Sequence, residues 1–261
     1  MIDLHTHILP GVDDGAKEIG DAVAMAQVAL ADGITTIVAT PHRNPWAYTA
    51  EIADAQRRLD EVRAACDKAG LGVRLILGGE AFVAPDSADQ VRDGLALTIN
   101  QSRYLLLEWP FDQYPAYSDQ AVFDLQVRGI VPLMAHAERY RFFQRDVQKL
   151  RGLVERGVLV QVTGSSLTGG HGPEPQKLAE LLLTSGLAHV LASDAHSADF
   201  RPPILSTAFQ RAIELVGEAR ARAMVVDVPQ EVIDNRSVDL PPVDPPVSRP
   251  FWAFWRHAHH V

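Results

Sequence analysis

Residues 33–42 read Gly-Ile-Thr-Thr-Ile-Val-Ala-Thr-Pro-His, and this stretch contains the pattern that decides the fold. Its first residue is a glycine of the kind that ends helices, and a run rich in β-branched residues follows. A histidine then stands at the carboxyl end of the run. The pattern predicts a helix that ends at Gly33, a buried strand, and a polar side chain where the strand ends.

Runs of this kind recur along the chain, and helical patterns with apolar residues at spacings of three and four separate them. The predicted strands are residues 1–4, 34–40, 73–79, 104–109, 130–135, 158–164 and 189–193. Strands that alternate with helices indicate a parallel α/β fold joined by right-handed crossovers. Seven such units in 261 residues favour a barrel over an open doubly wound sheet, which shares the same periodicity.

The composition is that of an ordinary globular protein, with 47% hydrophobic and 22% charged residues. The net charge of −9 argues against nucleic acid as the main partner, because phosphate backbones attract basic surfaces. The single cysteine, Cys66, excludes an intramolecular disulfide. The first residues do not resemble a signal peptide, and no run of about 18 apolar residues predicts a transmembrane segment. We therefore expect a cytoplasmic enzyme.

Imidazole and carboxylate side chains stand at the ends of six of the seven predicted strands. In a parallel barrel these ends open onto one face, where active sites lie, so residues distant in sequence would meet there. Such side chains suit divalent ions such as Zn, Mn and Fe(II), and the set is large enough for two or three ions. With Asp14 from the first loop, the candidate ligands are His5, His7, Asp14, His42, Glu80, Glu108, His136, Asp194 and His196.

Each candidate taken alone has a simpler explanation. A His-x-His pair is more often hydrogen-bonded or on the surface, and Asp14 before Gly15 is also typical of a turn. Their joint placement at strand ends favours the metal site. We expect His171, in a glycine-rich loop, to be a solvent-exposed side chain rather than a substrate contact. His189 stands at the opposite end of its strand, and we expect a structural role for it.

Two arginines follow strands on the same predicted face. Arg139 lies three residues after His136, and Arg201 lies five residues after His196. A guanidinium group can bind phosphate through two hydrogen bonds, although a surface ion pair is the simpler explanation for any single arginine. Arg43, beside His42, is a weaker candidate for the same role.

The motifs together resemble the polymerase and histidinol phosphatase superfamily. Within it, they are similar to the manganese-dependent tyrosine-protein phosphatases of bacterial capsule biosynthesis. The resemblance covers roughly residues 1–236. Its motifs are Met-Ile-Asp-Leu-His-Thr-His at 1–7, Pro-Gly-Val-Asp-Asp-Gly at 10–15, residues 33–42, Gly-Gly-Glu at 78–80, Leu-Leu-Glu at 106–108, His-Ala-Glu-Arg-Tyr at 136–140 and Ser-Asp-Ala-His at 193–196.

This resemblance implies a distorted (β/α)7 TIM-like barrel that hydrolyses phosphomonoesters, notably phosphotyrosine on bacterial tyrosine autokinases. It implies three divalent ions, Mn first, with Fe, Zn or Mg compatible with the same ligands. Arg139 and Arg201 match the family's phosphate-binding arginines, and His42 or the third ion would stabilise the departing phenolate. The resemblance implies that one ion is held by His5, His7, Glu80 and Asp194, and that Glu80 bridges to a neighbouring ion. The second ion is completed by Glu108 and His136, and the third by Asp14, His42 and His196.

Two stretches depart from the family pattern. Ala137 stands where the family commonly has proline after the histidine of the fifth strand, which affects loop rigidity rather than ligation. Residues 43–48 also differ from the expected pattern, and because this loop borders the predicted pocket, the substrate preference could differ.

We divide the chain into a phosphatase domain, residues 1–240, and a tail, residues 241–261. The tail is proline-rich and then aromatic at residues 251–256. It could pack back onto the barrel, dock to another subunit or a partner, or make peripheral contact with a membrane. A homo-oligomer is therefore one of the expected assemblies.

The leading hypothesis is a metal-dependent protein-tyrosine phosphatase that acts on a kinase tail and regulates capsule or exopolysaccharide synthesis. A small-molecule phosphatase acting on histidinol phosphate or a nucleotide would use the same site. A non-catalytic metal-binding scaffold that docks the kinase belongs to a third class. A phosphocysteine mechanism is disfavoured because Cys66 falls in a predicted helix without a phosphate-binding loop.

Overall fold

The computed structural model describes residues 1–44, 47–48 and 52–239, and the strands found there all pair in parallel. The strands are β1 (Ile2–Thr6), β2 (Thr36–Ala39), β3 (His42–Arg43), β4 (Arg74–Leu77), β5 (Glu80–Phe82), β6 (Tyr104–Glu108), β7 (Val131–Met134), β8 (Leu159–Thr163) and β9 (Val190–Ala192). Helices separate most of these strands, which confirms the predicted α/β alternation.

The helices within the described residues are mostly short. They are α1 (Ile19–Ala31), α2 (Ile52–Lys68), α3 (Ser87–Arg92), α4 (Ser118–Val127), α5 (Arg141–Arg145), α6 (Val147–Glu155), α7 (Gly164–Leu167), α8 (Pro173–Thr184), α9 (Ser206–Val216), α10 (Glu218–Arg222) and α11 (Val228–Ile233). Short 3₁₀ turns occur at Ile99–Gln101 and Ala137–Arg139, and a π-helical turn at Ala223–Asp227 joins α10 to α11.

The parallel sheet is curled. One group of strands has the order β1-β2-β4, and the other has the order β3-β5-β6-β7-β8-β9. At the end of β1, Thr6 pairs with Ala195, just beyond β9, and the His7 backbone N–H donates to the Ala195 carbonyl at 2.8 Å. The two outer ends of the sheet therefore approach each other near the first histidines.

Two predicted strands are each followed by a break and then by a second short strand, which begins with a candidate ligand. The strand predicted at 34–40 ends at Ala39 and resumes as β3 after Pro41, which has no N–H to donate. The strand predicted at 73–79 ends at Leu77, and β5 begins after Gly78 and Gly79. A Cβ at Gly79 would lie 3.0 Å from the Leu97 side chain, so the chain passes closely there. His42 is the first residue of β3 and Glu80 is the first residue of β5, and the two residues pair with each other.

The core is built from strand residues that alternate between two faces. Leu105 and Leu107 of β6 belong to the apolar layer packed beneath the helices, whereas Leu106 belongs to an inner layer with Leu4 and Leu133. Because both faces of the parallel strands are covered, β1 and β8 are buried along their whole length. The inner apolar layer includes residues of β1, β2, β4 and β6 to β9.

Within the described part of the chain, no helix combines the length and the apolar character that crossing a bilayer requires. The tail predicted at residues 241–261 lies outside the described residues, so its three alternatives stay predictions.

Candidate metal centre

All nine predicted ligands lie in one cluster at the carboxyl ends of the strands, with Glu80 near its middle. Glu80 Oε2 lies 3.2 Å from His5 Nε2 and 3.5 Å from His7 Nε2. The same oxygen lies 2.9 Å from His42 Nδ1, while Glu80 Oε1 lies 3.1 Å from His136 Nε2. One carboxylate therefore contacts four imidazoles from three separate segments of the chain.

Asp194 closes the cluster on the side of β1. Its Oδ1 lies 3.6 Å from His5 Nε2 and 3.5 Å from His7 Nε2. On the outer side, Asp14 Oδ1 lies 3.4 Å from His196 Nε2 and 3.6 Å from His42 Nε2. The hydrogen bond from His196 lowers the pKa of the Asp14 carboxyl.

Glu108 completes the cluster beside His42 and His136, with a carboxylate oxygen 3.7 Å from a ring nitrogen of each. Among the described residues, three groups bring their ligand atoms within 4.8 Å of one another. They are His7, Asp14, His42 and His196; His5, His7 and Glu80; and His42, Glu80 and Glu108. Shared members link the groups, as ligands between neighbouring ions would.

The orientation of two histidine rings fits a cation between them. His5 Nε2 and His7 Nε2 lie 3.1 Å apart. Gln161 Oε1 accepts from the His136 backbone N–H at 2.9 Å and lies 3.0 Å from His5 Nδ1. Because an amide oxygen only accepts, His5 Nδ1 carries the proton in this contact. His7 Nδ1 contacts the Asp13 carboxylate at 2.7 Å. Neutral rings would therefore direct two bare lone pairs at each other, which a bound cation turns into ligation.

The electrostatics of the cluster also attract positive charge. Burial lowers the pKa of His5, but the Glu80 and Asp194 carboxylates outweigh it and raise that pKa above its ordinary value. Burial also lowers the pKa of His7, but the neighbouring carboxylates, Asp13 first, outweigh it and raise that pKa. Burial and the adjacent Glu80 raise the pKa of Glu108 to about 7. Protons and metal ions would therefore compete for this site.

The backbone at two candidate ligands is unusual. His136 has φ 33° and Asp194 has φ 54°, in the left-handed region that most residues avoid. Asp194-x-His196 has the spacing of His5-x-His7, which predicts that both side chains of the pair point to the same side of a strand. This prediction is wrong for Asp194 and His196, because β9 ends at Ala192 and the chain has already turned.

Gly15 explains how the loop that contains Asp14 lies against β1. A Cβ at Gly15 would lie 1.9 Å from the His7 carbonyl oxygen, so no other residue fits without moving the loop. Asp13, two residues before Gly15, is the partner that sequence reasoning missed. Its carboxylate accepts from His7 Nδ1, from the His42 backbone N–H at 3.0 Å and from the Gly15 N–H at 2.9 Å.

Two further buried side chains support the cluster without having been predicted. Gln161 lies on β8, the one strand expected to contribute no ligand, and it holds His5 and His136 through a single oxygen. Asp3 on β1 accepts from the Ser193 N–H and hydroxyl, directly before Asp194. Burial raises the pKa of Asp3 to about 6. A polar residue inside an otherwise apolar strand was the signal available for both.

The two predicted phosphate-binding arginines meet at Asp194. Arg139 Nη1 donates to Asp194 Oδ2 at 3.1 Å, and Arg201 Nη2 donates to the same oxygen at 2.6 Å. Arg139 also lies over the ring of Phe111, 4.7 Å from its centre, and that ring is 5.5 Å from the His136 ring. No sequence signal marked Phe111 in advance. Arg43 lies on β3 next to His42.

The expected exposure of His171 is wrong. Its ring is half-buried, and its Nδ1 lies 3.2 Å from the Ser165 hydroxyl and 3.0 Å from the Ser166 hydroxyl. Burial, with a contribution from the Arg139 charge, lowers the pKa of His171 to about 4, so its ring is neutral at pH 7. Its loop therefore packs beside the cluster.

The remaining two residues that the sequence set aside lie away from the cluster. His189 lies directly before β9, and its Nδ1 accepts from the Val160 backbone N–H at 2.9 Å. This agrees with the expected structural role. Cys66 is buried in α2 within an apolar layer, and burial raises the pKa of its thiol. A protonated, enclosed thiol is a poor nucleophile.

The fold and this cluster define an α/β protein with a candidate multinuclear metal site at the carboxyl ends of parallel strands. The chain belongs to the CpsB/CapC family of capsular polysaccharide synthesis, whose sequence profile matches residues 1–234. This membership confirms the resemblance carried by the motifs.

Individual relatives agree with the family. The chain is 37% identical over 209 residues to the putative tyrosine-protein phosphatase CapC of Staphylococcus aureus, covering 80% of this chain and 82% of that protein. It is 36% identical over 201 residues to the tyrosine-protein phosphatase YwqE of Bacillus subtilis, covering 77% and 79%.

A solved structure extends the similarity to three dimensions. A chain from the crystal structures of YwqE from Bacillus subtilis and CpsB from Streptococcus pneumoniae, described as metal-dependent tyrosine phosphatases, superposes with a TM-score of 0.90. It is 32% identical, and the match covers 94% of this chain and 99% of that one. A lactonase from Listeria monocytogenes, 13% identical with a TM-score of 0.57, shares the fold alone.

Proposed function

We propose that this protein is a metal-dependent protein-tyrosine phosphatase that hydrolyses phosphotyrosine on a kinase tail during capsule or exopolysaccharide synthesis. The observation that carries the proposal is the cluster of nine imidazole and carboxylate side chains bordered by Arg139 and Arg201, which converge on Asp194. The names of the relatives CapC and YwqE support the same activity. We further propose that the enzyme acts in the cytoplasm.

The fold that we propose for the domain, residues 1–240, is a distorted (β/α)7 barrel. Two backbone hydrogen bonds support this fold because they continue the pairing of the two segments across their breaks. Gly78 N–H donates to Ala39 O at 2.8 Å, and Glu80 N–H donates to Pro41 O at 3.0 Å. The broken pairs β2/β3 and β4/β5 then count as one strand each. The contact between Thr6 of β1 and Ala195, three residues after β9, would close the ring.

We propose that the cluster holds two or three divalent ions, with Mn the first candidate and Fe, Zn or Mg compatible with the same ligands. The first ion would be held by His5, His7, Glu80 and Asp194. A second would be completed by Glu108 and His136, and a third by Asp14, His42 and His196. The position of Glu80 among four imidazoles supports its role as the bridging carboxylate. Bound ions would supply Lewis acidity, lowering the pKa of a bound water and offsetting phosphate charge.

The chain's own residues bind and orient the phosphate. Each guanidinium has five N–H donors, so Arg139 and Arg201 can contact Asp194 and still donate to phosphate oxygens. Donors fixed in this way stabilise the charge that develops on the transferring phosphoryl group. Asp194 orients both arginines, while Gln161 and Asp13 fix which nitrogens of His5 and His7 face the cluster.

His42 is proposed to act both as a ligand and near the leaving oxygen. Its ring lies between Glu80 and Asp14, at the outer edge of the cluster, and its side chain is 14% exposed, so one edge can reach a substrate. Burial lowers the pKa of His42, but the Glu80 carboxylate outweighs it and raises that pKa. Where the third ion does not take this ring, a protonated His42 would donate a hydrogen bond to the departing phenolate oxygen, and where it does, the ion would stabilise that oxygen instead.

The test compares two substrates on the same preparation. Turnover is measured on a tyrosine-phosphorylated kinase tail and on histidinol phosphate, in metal-free buffer and after manganese is restored. We expect manganese-dependent hydrolysis with preference for the phosphopeptide. A preference for histidinol phosphate would replace the proposed substrate class, and inactivity on both with manganese bound would contradict a phosphatase.

A further inference from the structure

A cavity of about 450 Å³ lies directly beside the cluster, between the loops that follow β8 and β9. We call it the flanking cavity. Its walls include His171, Arg201, Ile204 and Thr207, and Phe200 stands at its edge. Arg201 forms a wall shared with the phosphate site, because the same guanidinium donates to Asp194 at 2.6 Å. A substrate whose phosphate contacts Arg201 therefore lies beside the cavity.

The walls of the flanking cavity combine apolar surface with hydroxyl groups and carry little free charge. Phe200 is 89% exposed and Ile204 is 37% exposed, so both present apolar surface to solvent. Arg201 is the charged side chain among the described lining residues, and it is already paired with Asp194. The Nδ1 atom of His171 is engaged by the hydroxyls of Ser165 and Ser166. The cavity therefore suits an uncharged side chain.

We propose that the flanking cavity binds the uncharged side chain of a residue adjacent to phosphotyrosine in a peptide substrate. The inference rests on the proposed phosphatase function and adds the part of the substrate that the phosphate site does not read. Neighbouring residues of a peptide are only about 3.8 Å apart between Cα atoms, so a residue next to the phosphotyrosine can reach a cavity that shares a wall with Arg201. The volume lies within the range of about 300–1,000 Å³ that is typical of ligand pockets.

The energetics favour a peptide with an apolar neighbour over one with a charged neighbour. Covering Phe200 and Ile204 removes apolar surface from water, which is favourable in proportion to the area buried. An acidic side chain would lose hydration in a cavity whose charged wall residue, Arg201, is already paired with Asp194 and would also contact the substrate phosphate. A lysine would approach the Arg201 guanidinium and be repelled. Leucine or an aromatic residue fits better than either.

The experiment measures kcat/KM for phosphopeptides that differ only beside the phosphotyrosine. Two series carry Leu, Gly or Asp at the position before or after it, and the manganese-loaded protein is used throughout. We expect about a ten-fold preference for Leu over Gly in at least one series, and Asp below Gly. The Leu/Gly ratio should fall close to one in Thr207→Trp, which fills the cavity from the exposed side of α9.

A second variant and a control keep the result interpretable. Ile204→Asp places a charge on the exposed wall and should also remove the Leu preference. Phe123→Ala removes an aromatic side chain that is 58% exposed on the distant α4, and it should keep the ten-fold ratio. Absence of a Leu preference in the unaltered protein, or its persistence in Thr207→Trp and Ile204→Asp, would overturn the inference.

Failure of the proposed function would look different. The protein would then hydrolyse none of the phosphopeptides, with Leu, Gly or Asp, while manganese is bound, and the inference would fall with it. Equal hydrolysis of all peptides would instead leave the tyrosine phosphatase in place and overturn only the role of the flanking cavity.

Discussion

Buried histidines lie at both ends of the parallel strands, and their surroundings differ. At the carboxyl ends, His5 and His7 have one ring nitrogen fixed by Gln161 or Asp13 and the other directed at carboxylates. Just before β9, at the opposite end, His189 accepts a hydrogen bond from the Val160 N–H, and its charged neighbour is the cation of Arg220. Carboxylates raise the pKa of His5 and His7, whereas burial lowers that of His189 to about 4.

The difference teaches that burial alone does not make a histidine a candidate ligand. The cluster becomes a candidate metal site because carboxylates from other strands share its space and because the outer ring nitrogens are held by acceptors. His189 has neither feature. The comparison can be tested by removing a carboxylate, then an acceptor, and then the isolated histidine.

Removing Asp194 should have the largest effect. In Asp194→Ala, His5 and His7 lose an adjacent carboxylate, and Arg139 and Arg201 lose the oxygen that orients them. We expect turnover of a phosphopeptide to fall by about 1,000-fold or more, together with the manganese content. Steady-state kinetics and elemental analysis of the purified protein measure the two effects. Normal manganese content and turnover in this variant would break the comparison.

Removing an acceptor should have a smaller effect. Gln161→Leu keeps the side-chain bulk but leaves His5 Nδ1 and the His136 N–H without their shared oxygen. We expect manganese affinity to fall by about 10- to 100-fold, the usual effect of losing an outer partner of a ligating histidine. Manganese titration followed by calorimetry measures it. Gln161→Glu is the matched control, because a carboxylate can still accept both hydrogen bonds, and an equal loss there would contradict the argument.

Much of this arrangement could be predicted from the sequence. Glycines before β-branched runs helped to locate the strands, and the residue types at six of the seven strand ends located eight members of the cluster, to which the first loop added Asp14. The breaks at Pro41 and at Gly78–Gly79 were not predicted, since the second depends on Leu97 packing against the chain from a distant segment. Because of those breaks, His42 and Glu80, which were expected just after a strand, are instead the first residues of β3 and β5.

The supporting residues were harder to predict for a physical reason. Asp13 and Asp14 are adjacent and chemically identical, and only the fold shows that Asp13 faces His7 while Asp14 faces His196. His171 was expected in solvent because its loop is rich in glycine, yet hydroxyls from α7 hold its ring. Sequence patterns thus identified residue types at strand ends, but they did not identify which atom of one side chain faces which atom of another.

Removing the isolated histidine should leave the chemistry intact and change only the pH dependence of stability. The pKa of His189 is about 4 in the folded protein against about 6.5 in an unfolded chain, so the unfolded state binds a proton first as pH falls. This contribution destabilises the fold on going from pH 7 to pH 5, by about 2 kcal/mol. His189→Asn keeps an acceptor for the Val160 N–H and removes the titration. Urea unfolding at pH 7 and pH 5 should show a loss of stability smaller by that amount in the variant, while phosphopeptide turnover and manganese content at pH 7 match the unaltered protein. Equal losses in the two proteins, or a loss of manganese from His189→Asn, would mean that the two ends of the strands do not differ as argued.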